Sequence, residues 1–132
     1  MNQAKMIAIL LFLVSAYESN AQKDLIDTSS IAQCWTHSVE ENDLENNVNI
    51  YRPCGSKDFP VRRFRFVMEL RRNGTCDWLY LAPTDAHHMK KGTWTYEESS
   101  QELTIRDENG KLVHAYKINT LDKHMMVVAK GN

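Results

Sequence analysis

His87 and His88 stand side by side in LAPTDAHHMKKGTW, Leu81 to Trp94, with Asp85 just before them and Lys90 and Lys91 just after. Imidazole and carboxylate groups this close are the raw material of a metal site or of acid–base catalysis. Their spacing argues against both. Adjacent residues in a strand point to opposite faces, and in a loop two neighbouring histidines converge on one ion only when further ligands join them. Asp85 and His37 are the only helpers at hand, and neither has a diagnostic spacing. The pair reads as part of a surface connection over 83–90, and no metal site is expected.

Other chemistry fares no better. The chain has no Gly-x-Ser-x-Gly turn, no glycine-rich phosphate loop and no His-Glu-x-x-His, the arrangements that expose a nucleophile, cradle a phosphate or hold zinc. A cysteine nucleophile needs a histidine brought beside it by the fold, and spacing does not supply one for Cys34, Cys54 or Cys76. The acidic pairs Glu40-Glu41 and Glu97-Glu98 read as solvated turns. Neither an enzyme nor a cofactor is expected.

The elements that would position a site begin after a leader. One positive charge precedes Met6–Val14, an unbroken run of 9 apolar residues, and Ser19-Asn20-Ala21 offers small residues for a cut after Ala21. That three-part pattern predicts a signal peptide over 1–21. The run is far shorter than the roughly 20 residues that span a bilayer, so no membrane span is expected. No cysteine follows it closely enough to carry a lipid. The reading is a secreted or periplasmic protein with a polar lead-in at 22–32, allowing one helical turn, and one domain at 33–132. A formal charge of −1 over 132 residues argues against nucleic acid, whose binding needs a basic excess.

Beyond Ile31, short runs rich in Val, Ile, Thr, Phe, Trp and Tyr recur between turn signals, the pattern of strands. The expected strands are 33–39, 47–54, 61–72, 75–82, 91–97, 102–107, 111–119 and 123–129. Phe64, Phe66, Met68 and Leu70 alternate on one face. Asn73-Gly74 then suits a two-residue type I′ turn, which would set Phe66 opposite Leu81 and Met68 opposite Leu79. Eight strands with short connections predict an all-β fold, an antiparallel eight-stranded up-and-down barrel whose closure removes exposed edges.

CWTHSVEE, YRPC, NGTCDWLYLAPTDAHHM and GTWTYEESSQELTI, in that order from about Cys34 to Val128, resemble the lipocalin-like (calycin-type) proteins exported by bacteria, notably Bacteroidota. Trp35 stands where lipocalins carry Gly-x-Trp near the start of their first strand, with Gln33 in place of the glycine. The resemblance implies non-covalent binding of small, often apolar molecules.

On such a barrel the inward set is expected to be Phe66, Met68, Leu79 and Leu81, with Trp94, Tyr96, Leu103 and Ile105, and then His114, Tyr116 and Ile118. Phe66, Met68, Leu79, Leu81, Trp94, Tyr96, His114 and Tyr116 are the candidate ligand-binding residues, a mostly apolar lining with a few polar handles. An eight-stranded barrel can equally be filled by its own side chains. In strict up-and-down order the turns near Leu44, Asn73, Glu98 and Asp122 share the open mouth, which the acids of the first and third make an acidic rim. His87 and His88 would lie at the closed end. A hairpin centred near Leu44 sets Cys34 opposite Cys54. Cys76 would be at the other end, about 23 Å away, too far for a disulfide, so Cys34–Cys54 is the expected bond. Two functions remain open. One is a non-catalytic barrel for a small apolar ligand. The other is a protein-interaction module, of inhibitor or immunity type, with a filled core and an extracytoplasmic protein as partner. Either would work as a monomer.

Overall fold

The computed structural model describes residues 25–84 and 86–129; the expected signal peptide lies outside the described residues. Eight strands follow one another: β1 (Cys34–His37), β2 (Val48–Pro53), β3 (Val67–Leu70), β4 (Thr75–Leu81), β5 (His87–Glu97), β6 (Glu102–Asp107), β7 (Leu112–Leu121) and β8 (Met126–Ala129). They close into an antiparallel barrel in the order β1-β2-β8-β7-β6-β5-β4-β3. The expected all-β, eight-stranded antiparallel barrel is therefore present, and from β3 to β8 the chain runs up and down between sequential neighbours. Among the described residues no helix is long and apolar enough to cross a membrane.

The first hairpin is set into the ring so that β1 lies between β2 and β3, while β2 closes on β8. Strands β2 and β3 both run antiparallel to β1, so they share a direction. Residues 54–66 must then return from one end of the barrel to the other. That is why the expected strand over 61–72 begins to pair only at Val67, and why Val61 is fully exposed. Thr36 on β1 is buried, its hydroxyl donating to the Cys54 sulfur at 3.2 Å. Arg65 pins the return segment: the guanidinium donates to both oxygens of Glu40 at 2.8 and 2.7 Å, to the His37 carbonyl at 3.0 Å and to the Pro60 carbonyl at 2.9 Å. Beside it Arg52 holds both oxygens of Glu41 at 2.8 Å.

One end of the barrel is plugged by the lead-in. Asp27 caps the 3-10 turn Thr28–Ser30 by accepting from the Ser29 N–H. The turn seats Ile31 in the core, where its carbonyl accepts the Trp35 indole N–H at 2.9 Å. Ile26 pairs with Leu121, Gln33 reaches the Lys123 carbonyl and the Gln33 carbonyl accepts the Leu70 N–H, so this segment lies at the end that carries the turns β3–β4, β5–β6 and β7–β8. Trp35, Met68, Leu103, Ile105, Ile118, Met126 and Val128 are fully buried inside. A bulge between Ile118 and Thr120 lets both Ile118 and Leu121 face inward, since an extra residue shifts the alternation by one.

The β3–β4 turn corrects the expected register. Gly74 alone takes positive φ (86°) there, with its N–H donating to the Arg71 carbonyl at 3.0 Å and the Arg71 N–H donating to the Thr75 carbonyl at 3.0 Å. This is a type I turn followed by a glycine bulge, a three-residue loop rather than the two-residue type I′ turn. The Asn73 side chain favours it by accepting the Thr75 N–H and hydroxyl at 3.0 and 2.7 Å. The extra residue sets Met68 opposite Trp78, not Leu79. A slip of one residue exchanges the faces of a strand. Cys76 and Trp78 are therefore buried inside, while Leu79 and Leu81 lie on the outer face, Leu81 at 40% exposure.

The Cys34–Cys54 disulfide is present, and Cys54 donates its N–H to the Cys34 carbonyl across the hairpin. The reason for Cys76 being left out differs from the expected one. Cys34 lies opposite Glu69 and Cys76 opposite Leu70, so both are at the plugged end, about 10 Å apart over two strand spacings. That already exceeds the reach of a bridge, and the wall completes the separation. Cys34 neighbours the inward Trp35 and so faces out, whereas Cys76 faces in. Burial pushes the Cys76 thiol up to about 11.

Candidate functional site

The hairpin that carries His87 and His88 answers the question they raise. Strand β5 begins at His87, opposite Leu81, and His88 lies opposite Tyr80. The pair is therefore in a strand rather than in the 83–90 loop, because the hairpin keeps pairing up to the Ala82–Ala86 hydrogen bond at 2.9 Å. Alternation sends the rings to opposite faces: His87 meets the edge of Phe64 at 5.5 Å and His88 meets Tyr80 at 5.3 Å. Among the described residues no three His, Cys, Asp or Glu side chains gather as metal ligands.

Rings collect instead inside the barrel, towards the end opposite the plug. His37 on β1 stacks on Tyr51 of β2 at 4.8 Å. Tyr51 meets Tyr116 of β7 edge-on at 5.8 Å. Tyr116 is stacked with His114, two residues earlier on the same face, at 5.9 Å. His114 reaches across the interior to Phe66 at 5.0 Å and Trp78 at 6.3 Å. The strands dictate this chain. Tyr51 lies opposite His37 in the first hairpin, and the regular alternation of β7 brings His114 and Tyr116 inward together. Tyr51 and Trp78 are buried, while His37, Phe66, His114 and Tyr116 are half-buried.

Electrostatics follows from that burial. Desolvation holds the His114 imidazole below its ordinary range. It does the same for His37, whose ring nitrogen also shares a hydrogen bond of 3.1–3.2 Å with the Asn42 amide. Burial raises both the Tyr51 and the Tyr116 phenols, Tyr51 to about 12. At neutral pH the cluster is uncharged: two imidazoles and two phenols among apolar rings.

The sequence-derived candidates thus divide. Phe66, His114 and Tyr116 come together in the cluster. Met68 sits deep in the core, and Trp94 and Tyr96 pack against it from β5, Trp94 donating its indole N–H to the Arg71 carbonyl at 2.7 Å. Leu79 and Leu81 are excluded from the interior by the register. His37, Tyr51 and Trp78 were missed. The first two were within reach, because setting Cys34 opposite Cys54 also sets His37 opposite Tyr51.

The acidic rim does not form. With the first hairpin turned over, Glu40 and Glu41 lie at the far end, and Glu97, Glu98 and Glu102 lie at the plugged end. Glu40 is held down to about 2 by the Arg65 hydrogen bonds, and Glu41 to about 2 by those from Arg52 and then Ser38. Arg62 and Lys57 stand 3.9 and 3.7 Å from the same carboxylates. The far end carries paired charges of both signs. A further open depression of about 610 Å³ lies across β4 and β5, lined by Arg71, Asp77, Lys91, Gly92, Asp107 and Glu108 among others. Its Arg71 is already engaged by Asp77 and near Glu69.

Comparison of the chain with known protein families, with curated proteins and with solved structures returns no match.

The histidines predict a pH dependence. Each has a folded pKa below its unfolded value of about 6.5, so between the two values the unfolded chain binds more protons and stability rises with pH. Their contribution is complete above about 6.5 and is lost as the pH falls below it. Glu40 and Glu41 respond only lower, as the pH drops through the carboxylate range. Urea unfolding at pH 7.5, 6.5 and 5.5 should therefore show a declining midpoint, and His114→Phe should flatten the decline. A midpoint that rises on acidification would contradict the burial of neutral imidazoles.

Proposed function

We propose that this chain is a non-catalytic, lipocalin-like barrel that binds a small, mostly apolar molecule at the end opposite its plug. The observation that carries the reading is the ring cluster. Half-buried Phe66, His114 and Tyr116 offer apolar faces, and Tyr51 and His37 stand behind them as polar handles. Such a mixture suits a small-molecule site. The closed eight-stranded barrel agrees with the lipocalin-like resemblance of the sequence. The Cys34–Cys54 disulfide supports a working place in an oxidising, secreted or periplasmic setting, in keeping with the leader pattern.

Native mass spectrometry of the protein purified from its own source is expected to retain a small molecule, released on unfolding. A naphthalene-type dye should bind saturably and change the tryptophan emission of the protein. Phe66→Ala and His114→Ala should each weaken that binding severalfold while the fold persists, as judged by far-ultraviolet circular dichroism. An empty protein whose dye uptake is unsaturable, or is indifferent to both substitutions, would defeat the proposal.

A further inference from the structure

The β4–β5 hairpin outgrows its neighbours. Strand β3 pairs with β4 only from Cys76 to Trp78, and β6 pairs with β5 only from Gly92 to Glu97. Beyond those limits Leu79–Leu81 and His87–Met89 form a two-stranded arm, and Lys90 and Lys91 continue its free edge opposite Trp78 and Asp77. Among the described residues nothing pairs with His87–Lys91 on the side away from β4. Backbone parity identifies the open groups. Trp94 donates its N–H to the Gly74 carbonyl, so the even-numbered residues from 88 to 94 bond towards β4. The N–H and C=O of His87 and Met89, with Lys91 at the margin, face the empty lane. Strand β6 would fill it, but the chain turns away at Asp107–Gly110, where Gly110 donates to the Asp107 carbonyl at 3.0 Å.

From this we infer that the free edge of β5 at His87–Lys91 is a docking site for an extended, acidic segment of a partner protein, added as a further strand. Two-stranded arms are marginal alone and gain from a third strand, and main-chain pairing supplies affinity of that kind. Side chains set the preference. Met89 is 45% exposed beside Leu79, next to the 40% exposed Leu81, an apolar strip for alternate residues of the incoming strand. Lys90 stands 3.8 Å over the Tyr80 ring, and neither Lys90 nor Lys91 has a salt bridge among the described residues. The opposing Asp107 is occupied, since one carboxylate oxygen accepts the N–H groups of Asn109 and Lys111 at 2.9 Å. A depression of about 340 Å³ runs between Trp78, Met89, Lys90 and Lys91 and that turn. Charge also argues against a second copy. Antiparallel pairing of two such edges about Met89 would set His88 against Lys90 and His87 against Lys91, so no carboxylate would face either lysine and the opposite-charge pairing open to an acidic segment would be missing.

The inference does not depend on the ligand reading and is tested separately. The probes are two labelled peptides, one alternating Val with Glu and one alternating Val with Lys. Fluorescence anisotropy should show the Glu peptide binding and the Lys peptide not. Amide hydrogen exchange should slow at Met89 when the Glu peptide is bound. Lys90→Glu, on the face away from Met89, should weaken the Glu peptide a few-fold, as one exposed ion pair allows, and admit the Lys peptide. Met89→Pro, tolerable on an edge strand because the lost N–H faces outward, should abolish binding of either. Equal binding of both peptides, or binding without protection at Met89, would overturn the inference. So would protection at Met89 that grows with protein concentration alone, which would give the edge to a second copy.

Discussion

Replacing Cys34 and Cys54 together by Ser is expected to lower stability by about 3 kcal/mol. The bond closes a loop with a sequence separation of 20, and the chain entropy that such a cross-link removes from the unfolded state is of that size. Folded domains hold only about 5–15 kcal/mol in all, so the loss is a large share. In melting temperature it amounts to about 12–24 °C for a domain of this size. Position adds to the effect. The bond fixes the end of β2 against the start of β1, where the return segment leaves to cross β1. Arg65 holds the other end of that segment. Without the disulfide the crossing is anchored on one side only. Calorimetry of the oxidised protein, the reduced protein and the double Ser variant would measure the drop. Reduced and substituted forms that melt within a few degrees of the oxidised one would show that the crossing holds itself. Cys76 serves as the internal control. With 1% exposure and a thiol raised by burial, it should resist alkylation in the folded protein and react only after unfolding.

Much of this architecture was legible. The alternation of β6 and β7 placed Leu103, Ile105, His114, Tyr116 and Ile118 inside, where they are, because one buried face imposes a period of two. Hairpin symmetry about Leu44 gave the Cys34–Cys54 bond. Two things were hidden, both for physical reasons. Asn73-Gly74 is compatible with either a two-residue or a three-residue turn. Only the side-chain bonds of Asn73 to Thr75 and the packing of Trp78 choose between them, and that choice moved Leu79 and Leu81 outside. The placement of β1 between β2 and β3 was hidden more deeply. No local pattern distinguishes a strand that follows its predecessor around the ring from one that crosses it. The decision rests on long-range partners such as Arg65 with Glu40, which lie 25 residues apart. From that one difference follow the mixed charge of the far end and the shared end of Cys34 and Cys76. The ring cluster was half legible, because His114 and Tyr116 depend on strand alternation alone and Trp78 depends on the turn.

Gly92→Ala should be at least as damaging as loss of the disulfide, although it adds a single methyl group. Gly92 sits where β5 passes from one partner to two. It is opposite Cys76 on β4 and Asp107 on β6. A β-carbon there would lie 2.0 Å from the Arg106 carbonyl oxygen and 2.7 Å from a ring carbon of Trp78. Neither neighbour can retreat cheaply. The first is backbone within the β5–β6 ladder, beside the bulge at Ile105 and Arg106, and the second is a buried indole wedged near His114. Overpacking of a close-packed interior costs roughly 1–3 kcal/mol and more when backbone must move. The expected loss is therefore about 3 kcal/mol or greater, or outright failure of the barrel to close. Gly110→Ala supplies the comparison. Gly110 has a positive φ of 80° and nothing within 4 Å of its would-be β-carbon, so it should lose only about 1 kcal/mol to backbone strain. Urea midpoints of the two variants separate steric from conformational demands, and a change in tryptophan emission in Gly92→Ala that Gly110→Ala lacks would report a disturbed indole. Should Gly92→Ala prove no worse than Gly110→Ala, the close approach of β6 to Trp78 would be refuted. The packing that holds His114 in the ring cluster would be refuted with it, since that cluster rests on the same indole.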